Sequence, residues 1–207
     1  MKQALSLFDL DGTITNRDTL WEIIRFQKGT WIFVLGMILL SPVLVAYKLG
    51  IISNTSAKQS VLRLFFAGMS EPVFQAGCNA FQSQRLPSLV RRGAGQAIRE
   101  ALSRGDRVIV VSASAGNWVS GWCRETGVEC IATILESIGG RMTGRILGKN
   151  CAGTEKVIRI RETVQLEDYD PIYAYGDSPS DQPLLGLATY AFYKPFREKE
   201  KGDQRIS

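Results

Sequence analysis

A chain of 207 residues, 45 % apolar and 22 % charged, holds material for one core with a modest insertion. It contains no histidine. That removes serine–histidine and cysteine–histidine hydrolysis, phosphohistidine chemistry and histidine-ligated zinc, so catalysis must run on carboxylates, lysine, hydroxyls and a hard metal ion.

The net charge of +5 suits an anionic partner, but no clustered basic helix or aromatic–basic interleaving marks a nucleic-acid surface, and nucleic acid is not expected as a partner. The first predicted element is a buried strand, ALSLFD, over residues 4–9. It lies within LSLFDLDGTIT, Leu5–Thr15, whose apolar run finishes on Asp9 and Asp11. In an open parallel sheet, ligands gather at the carboxyl ends of the strands, so a strand ending in Asp points a carboxylate into that place. Gly12-Thr13 permits a tight turn just beyond.

From Asn16 to Arg92 the pattern turns helical, with weak turns near SNTS and MSEP, which predicts a helical insertion after the first strand. Inside it, Gly29–Tyr47 is uncharged and bracketed by Lys28 and Lys48. Length alone makes that stretch a candidate membrane span. Against this, Ser41-Pro42 should break or kink the helix, and the flanking lysines set no orientation. A single crossing would also leave the first strand across a bilayer from its sheet partners. Two readings stand: peripheral membrane contact through 29–47 as an interfacial helix pair, or the buried core of the insertion.

After the insertion, GAGQAIREALSRG predicts a helix over 93–105, and RVIVVS a strand over 107–112. VECIAT, 128–133, is a weaker strand, and ILESIGGRMTGRIL reads as a β-hairpin of two short strands around Gly139-Gly140. PIYAYGD, 171–177, and TYAFY, 189–193, complete the strands. Strands without alternation, separated by helices, imply a parallel sheet covered on both faces. The tail from Arg197 to Ser207 is a charge run, expected as a solvated end. Cys78, Cys123, Cys130 and Cys151 form no CxxC pair and no secretory leader is visible, so reduced thiols and a cytoplasmic location are expected.

One of the paired carboxylates can attack phosphorus and form an aspartyl phosphate, while the other protonates the leaving oxygen and then activates water. Further along, the strand at 107–112 ends on the Ser112 hydroxyl, with Ala113 and other small residues after it whose N–H groups suit a phosphate oxygen. Lys156, near the start of a helix in NCAGTEKV, offers a fixed cation. Asp177 and Asp181 in GDSPSD add two more carboxylates. An all-oxygen set without histidine selects Mg²⁺. Each has a plainer reading: Asp177 as an Asx turn before a helix capped by Ser180 or Asp181, and Lys156 as a surface lysine.

The order of these features resembles the haloacid-dehalogenase-like phosphohydrolases, over essentially the whole chain, with DLDGT, Ser112, Lys156 and GDSPSD as the motifs. The resemblance implies an α/β, Rossmann-like three-layer α/β/α core made from residues 1–15 and 93–207, and a helical cap over 16–92. It implies Asp9 as nucleophile and Asp11 as general acid/base. Ser112, Ala113 and Lys156 would hold the phosphate. Mg²⁺ would be held by Asp9, Asp177 and the Asp11 carbonyl, with Asp181 in support. MTGRI at 142–146 and the cap are similar to the phosphoserine-phosphatase branch; within it, the long apolar stretch and GDSPSDQPLL look most like the phosphatidylglycerophosphatase C group.

In that branch an acidic cap residue meets the substrate's amino group. Asp18 stands there, and is equally a helix N-cap for the segment from Thr19. The basic cap position reads Ser60, with Arg63 as a substitute. An uncharged cap favours an acyl chain, so a phospholipid headgroup phosphate, such as phosphatidylglycerophosphate, is the first expected substrate. The alternatives are a soluble phosphomonoesterase acting on a phosphorylated small molecule, and a membrane-associated phosphate-binding module without turnover.

Overall fold

The computed structural model describes residues 2–197; of the charged tail, all but Arg197 lies outside the described residues. In chain order the elements are β1 (Gln3–Phe8), α1 (Thr19–Lys28), α2 (Thr30–Lys48), α3 (Asn54–Phe66), α4 (Glu71–Gln84), α5 (Arg92–Ser103), β2 (Arg107–Ala115), α6 (Ser120–Thr126), β3 (Glu129–Ile138), β4 (Arg141–Leu147), α7 (Thr154–Thr163), β5 (Tyr169–Gly176), α8 (Gln182–Leu185) and β6 (Tyr190–Tyr193). The six strands make one sheet in the order β4-β3-β2-β1-β5-β6. All neighbours are parallel except β3 and β4.

The central strands are apolar on both faces, and alternate residues feed two separate cores. Phe8, Val108 and Val110 join the larger cluster, with residues of α1, α3, α4, α5 and α6. Leu5, Leu7, Ile109 and Val111 join the smaller one, with Ile160 of α7 and Leu184 of α8. A strand buried on both sides has no need of alternation, which is why these runs read as continuous apolar blocks. The result is the expected α/β/α sandwich.

Two boundaries differ from expectation. The strand expected to stop at Ser112 runs on to Ala115, with a register shift against β3 between Ser112 and Ala115. The strand at 128–133 and the first arm of the hairpin are one ten-residue strand, β3. Its first half pairs in parallel with β2 and its second half antiparallel with β4. No turn residue separates the halves, so nothing interrupts the backbone.

The two ends of the segment between β1 and α5 are stitched to each other: the Asn16 N–H donates to the Leu89 carbonyl at 2.9 Å and the Arg91 N–H to Ile14 at 2.8 Å. Its middle is tied to the hairpin, with Gly68 N–H donating to Met142 O and Glu71 N–H to Gly140 O, both at 2.8 Å.

Helix α2 runs unbroken through Pro42, against the expected break. Pro42 cannot donate to the Ile38 carbonyl, but the Ser41 hydroxyl donates to that same oxygen at 2.7 Å. The orphaned acceptor is satisfied by the neighbouring side chain.

Only Gly36 and Leu40 of α2 are buried. It therefore is not the buried core of the insertion.

Candidate active site

The loop leaving β1 begins with the Asp9 N–H donating to the Tyr175 carbonyl at 2.9 Å, the last rung beside β5. It closes on itself through Thr15 N–H to Leu10 O, also 2.9 Å. Between them Gly12 has φ +86°, and an added Cβ would lie 2.7 Å from Cγ of Asp177. Glycine lets the first loop lie against the carboxylate that follows β5.

Lys156, in the first turn of α7, is buried and its ammonium is held between two carboxylates, Asp9 Oδ1 at 2.5 Å and Asp181 Oδ1 at 2.7 Å. The other oxygen of Asp181 accepts from the Asp177 N–H (3.2 Å), the Ser178 N–H (3.0 Å) and the Ser178 hydroxyl (2.7 Å). Ser178 is thus the cap of the short turn Pro179–Asp181, with Asp181 as its box partner, and Asp181 in turn stands at the N-cap of α8, without a side-chain cap bond. Asp177 Oδ2 accepts from the Arg197 guanidinium at 2.9 Å.

Carboxylate oxygens of Asp9, Asp177 and Asp181 lie within 4.8 Å of one another. Three hard oxygen donors that close, with no nitrogen or sulfur among them, fit a small divalent cation.

The electrostatics agree with that fit. Burial, more than anything else, pushes the Asp9 carboxyl up to about 7; Lys156 opposes this, while the Asp181 and Asp11 charges reinforce it. A nucleophilic Asp9 needs more positive charge nearby than Lys156 alone. Lys156 is buried, which favours its neutral form, yet Asp9 and Asp181 more than offset this and hold it protonated. Burial also raises Asp181, and Lys156 outweighs it, leaving that carboxyl below its usual range.

Asp11 sits in a second network. Its Oδ1 accepts from the Thr19 N–H at 2.7 Å and its Oδ2 from the Ser114 hydroxyl at 2.5 Å. Thr19 in turn is held by Ser114, 2.8 Å away, and by Trp118 Nε1–H at 3.2 Å. Burial and then the Asp18 charge push the Asp11 carboxyl up to about 6, against the lowering effect of those hydrogen bonds. A carboxyl titrating there can both give and take a proton at neutral pH.

A cavity of about 350 Å³ opens over these groups, lined among others by Asp9, Asp11, Asp18, Ala113, Ser114, Lys156 and Asp177. Ser112 is fully buried, does not line the cavity, and accepts the Ser114 N–H at 3.0 Å. Asp181 likewise lies behind the wall. Asp18 lines the cavity and also caps α1 by accepting the Leu20 N–H at 2.8 Å. Burial raises its carboxyl.

The basic residue reaching the cavity from the helical segment is Lys58 of α3; Ser60 and Arg63 do not line it. Lys58 Nζ donates to the Ala113 carbonyl and, at 3.0 Å, to Asn150 Oδ1. Burial pulls its ammonium down to about 8, with Asp11 and Asp18 acting the other way. Sequence reasoning missed it and Ser114. Their visible signals were the SAS repeat at the end of β2 and a lysine in a polar helix start, neither tied to the carboxylates by spacing. The cavity lining also has an apolar part: Leu20, Trp21, Leu44, Tyr47 and Val61.

A family model for haloacid dehalogenase-like hydrolases matches residues 6–186 of the chain. Protein CicA of Caulobacter vibrioides is 33% identical over 198 residues, covering 94% of this chain and 87% of that protein. Among solved structures, a protein of unknown function from Bordetella pertussis Tohama I superposes with a TM-score of 0.78 at 26% identity, covering 91% of this chain and 88% of that one. A phospho-aspartyl intermediate analogue of phosphoserine phosphatase superposes with a TM-score of 0.61 at 21% identity, over 91% of this chain and 84% of the other.

Proposed function

The chain belongs to the haloacid dehalogenase-like hydrolase family, and from that membership we propose that it is an Mg²⁺-dependent phosphomonoester hydrolase working through an aspartyl phosphate on Asp9. The observation that carries this reading is the buried Lys156 ammonium clamped between Asp9 and Asp181 at the floor of the cavity. Asp9 attacks phosphorus, the ester P–O bond breaks, and Asp11 delivers its proton to the departing oxygen. Asp11, now ionised, takes a proton from water as that water attacks the same phosphorus; Asp9 and inorganic phosphate are released. Lys156 carries positive charge beside the transferring group, and the backbone N–H of Ala113, which lines the cavity, supplies a donor to its oxygens. Asp181 orients Lys156 and the loop bearing Asp177. Asp9, Asp177 and the Asp11 carbonyl would hold Mg²⁺, which when bound neutralises the acidic floor so that a phosphate dianion can enter.

For the substrate we favour a phosphate on a phospholipid headgroup, of the phosphatidylglycerophosphate kind, because Leu20, Trp21, Leu44, Tyr47 and Val61 give the cavity an apolar part beside the carboxylates. A lipid-borne substrate demands contact with a bilayer at its cytoplasmic face, and residues 29–47 are the stretch suited to it. The division into a core of 1–15 and 93–207 and a cap over 16–92 is part of this reading. Likeness in fold to phosphoserine phosphatase keeps a small soluble phosphomonoester as the second reading. Against it, Asp18 is engaged in capping and no arginine lines the cavity among the described residues.

Asp9→Asn should abolish hydrolysis of p-nitrophenyl phosphate while Mg²⁺ still raises the melting temperature in part. Turnover at the wild-type rate in that variant would overturn the nucleophile assignment. A panel of lipid phosphates, phosphoserine, sugar and nucleotide phosphates decides the substrate class.

A further inference from the structure

Helix α2 is, by length and composition, able to cross a membrane, yet it is packed sideways on the protein. Phe33 meets Trp21 of α1 edge-on at 6.2 Å and stacks on Phe65 of α3 at 6.4 Å, and Val43 and Leu44 rest on the main core. Its other face is bare: Trp31 is 87% exposed, Leu35 58%, Ile38 63% and Leu39 62%, continuing into Leu49 and Ile51 at 70% and 71%. Burying such side chains is worth roughly 1.5–3 kcal/mol each, so an exposed row of this size calls for a partner.

Charge identifies the partner. Between Glu22 and Glu71 the chain carries Arg25, Lys28, Lys48, Lys58 and Arg63 and no acidic residue. Those five cations equal the whole net charge of +5; the rest of the chain is neutral in sum. The apolar face thus lies within a stretch that carries cations and no carboxylate; Lys58 of that set faces the cavity, which leaves Arg25, Lys28, Lys48 and Arg63.

We infer that α2 and the loop after it dock in the plane of an anionic bilayer surface, with Trp31, Leu35, Ile38 and Leu39 inserted among the acyl chains. The helix lies in the surface and does not span, because both its flanks return to the same sheet. Leu44 and Tyr47 of the same helix line the catalytic cavity, so a headgroup lifted from the docked surface meets the carboxylates along an apolar wall. This last step rests on the lipid-phosphate reading; the docking does not.

The full chain, sedimented with phosphatidylcholine vesicles with and without phosphatidylglycerol, tests it. The wild type should pellet with the anionic vesicles, and high salt should weaken the binding. Leu35→Glu with Ile38→Glu should lose vesicle binding while hydrolysing p-nitrophenyl phosphate as the wild type does. Lys48→Glu should weaken binding to anionic vesicles about tenfold. A wild type that stays in solution, or a double variant that still pellets, overturns the docking. So does a soluble wild-type dimer that the double variant renders monomeric, since a second copy would then cover the face. If docking holds but a vesicle-borne phosphomonoester is hydrolysed no faster than the soluble ester, the docking stands and the lipid substrate falls.

Discussion

Single side chains divide here by how far their neighbours lie along the chain. Asp9, Asp11 and Asp177 were legible because each follows a strand end, and strand ends of a parallel sheet converge. Lys58 was not, because its place depends on how α3 lies over β2, more than fifty residues on. If it meets the substrate's charge, Lys58→Met should raise KM about tenfold for an anionic substrate, with kcat less affected. Its ammonium, pulled by burial down to about 8, should make the wild-type KM rise above that pH; steady-state kinetics would find that rise missing in the variant. Glu22 gives an acid-side counterpart. Burial would raise its carboxyl, but Arg85 at 2.7 Å and Arg17 at 3.2 Å outweigh this and hold it below its ordinary value. A depressed folded value means stability present above the unfolded value and lost as pH falls through the folded one. Both arginines are well exposed, so Glu22→Gln should cost about 1–2 kcal/mol at neutral pH. Urea titrations should show that gap shrinking as pH falls below about 4.

At the scale of elements, apolar runs and glycine punctuation located every strand, but they did not say where pairing switches. β2 outruns Ser112 and β3 joins two predicted pieces because neighbours, not local residues, set those ends. The same holds for MTGRI. As a motif it resembled a family; physically, Gly144 has φ +73° and its missing Cβ makes room for the α3 backbone, where an added atom would sit 2.6 Å from the Arg63 nitrogen. Both the left-handed backbone and the close approach forbid a side chain. Gly144→Ala should therefore destabilise by about 2–4 kcal/mol, seen as a fall of roughly 2–4 °C in Tm per kcal/mol. The next residue on β4, Arg145, is exposed. Arg145→Ala should leave Tm nearly unchanged, which makes it the control for the glycine variant.

For the whole molecule, the insertion was visible in the sequence as a break in strand–helix alternation, and its fusion to the core was not. One apolar cluster runs from Phe8, Val108 and Val110 of the sheet through Ile23, Leu62, Phe66, Phe74 and Phe81 of the helical segment. Phe66 is buried in that cluster: it packs edge-on against Phe74 at 5.0 Å and carries the Lys28 ammonium over its ring at 5.6 Å. Removing that ring leaves a cavity in the continuous cluster, at a cost of about 3–5 kcal/mol. If the helical segment were a separately folding unit, Phe66→Ala would melt it first and leave the sheet intact. Because the cluster is continuous, unfolding should stay a single transition shifted to lower temperature, with near- and far-ultraviolet circular dichroism coinciding. Two resolved transitions in the variant would show that the cluster does not couple the parts, and would make the helical segment free to move on its own above the carboxylates.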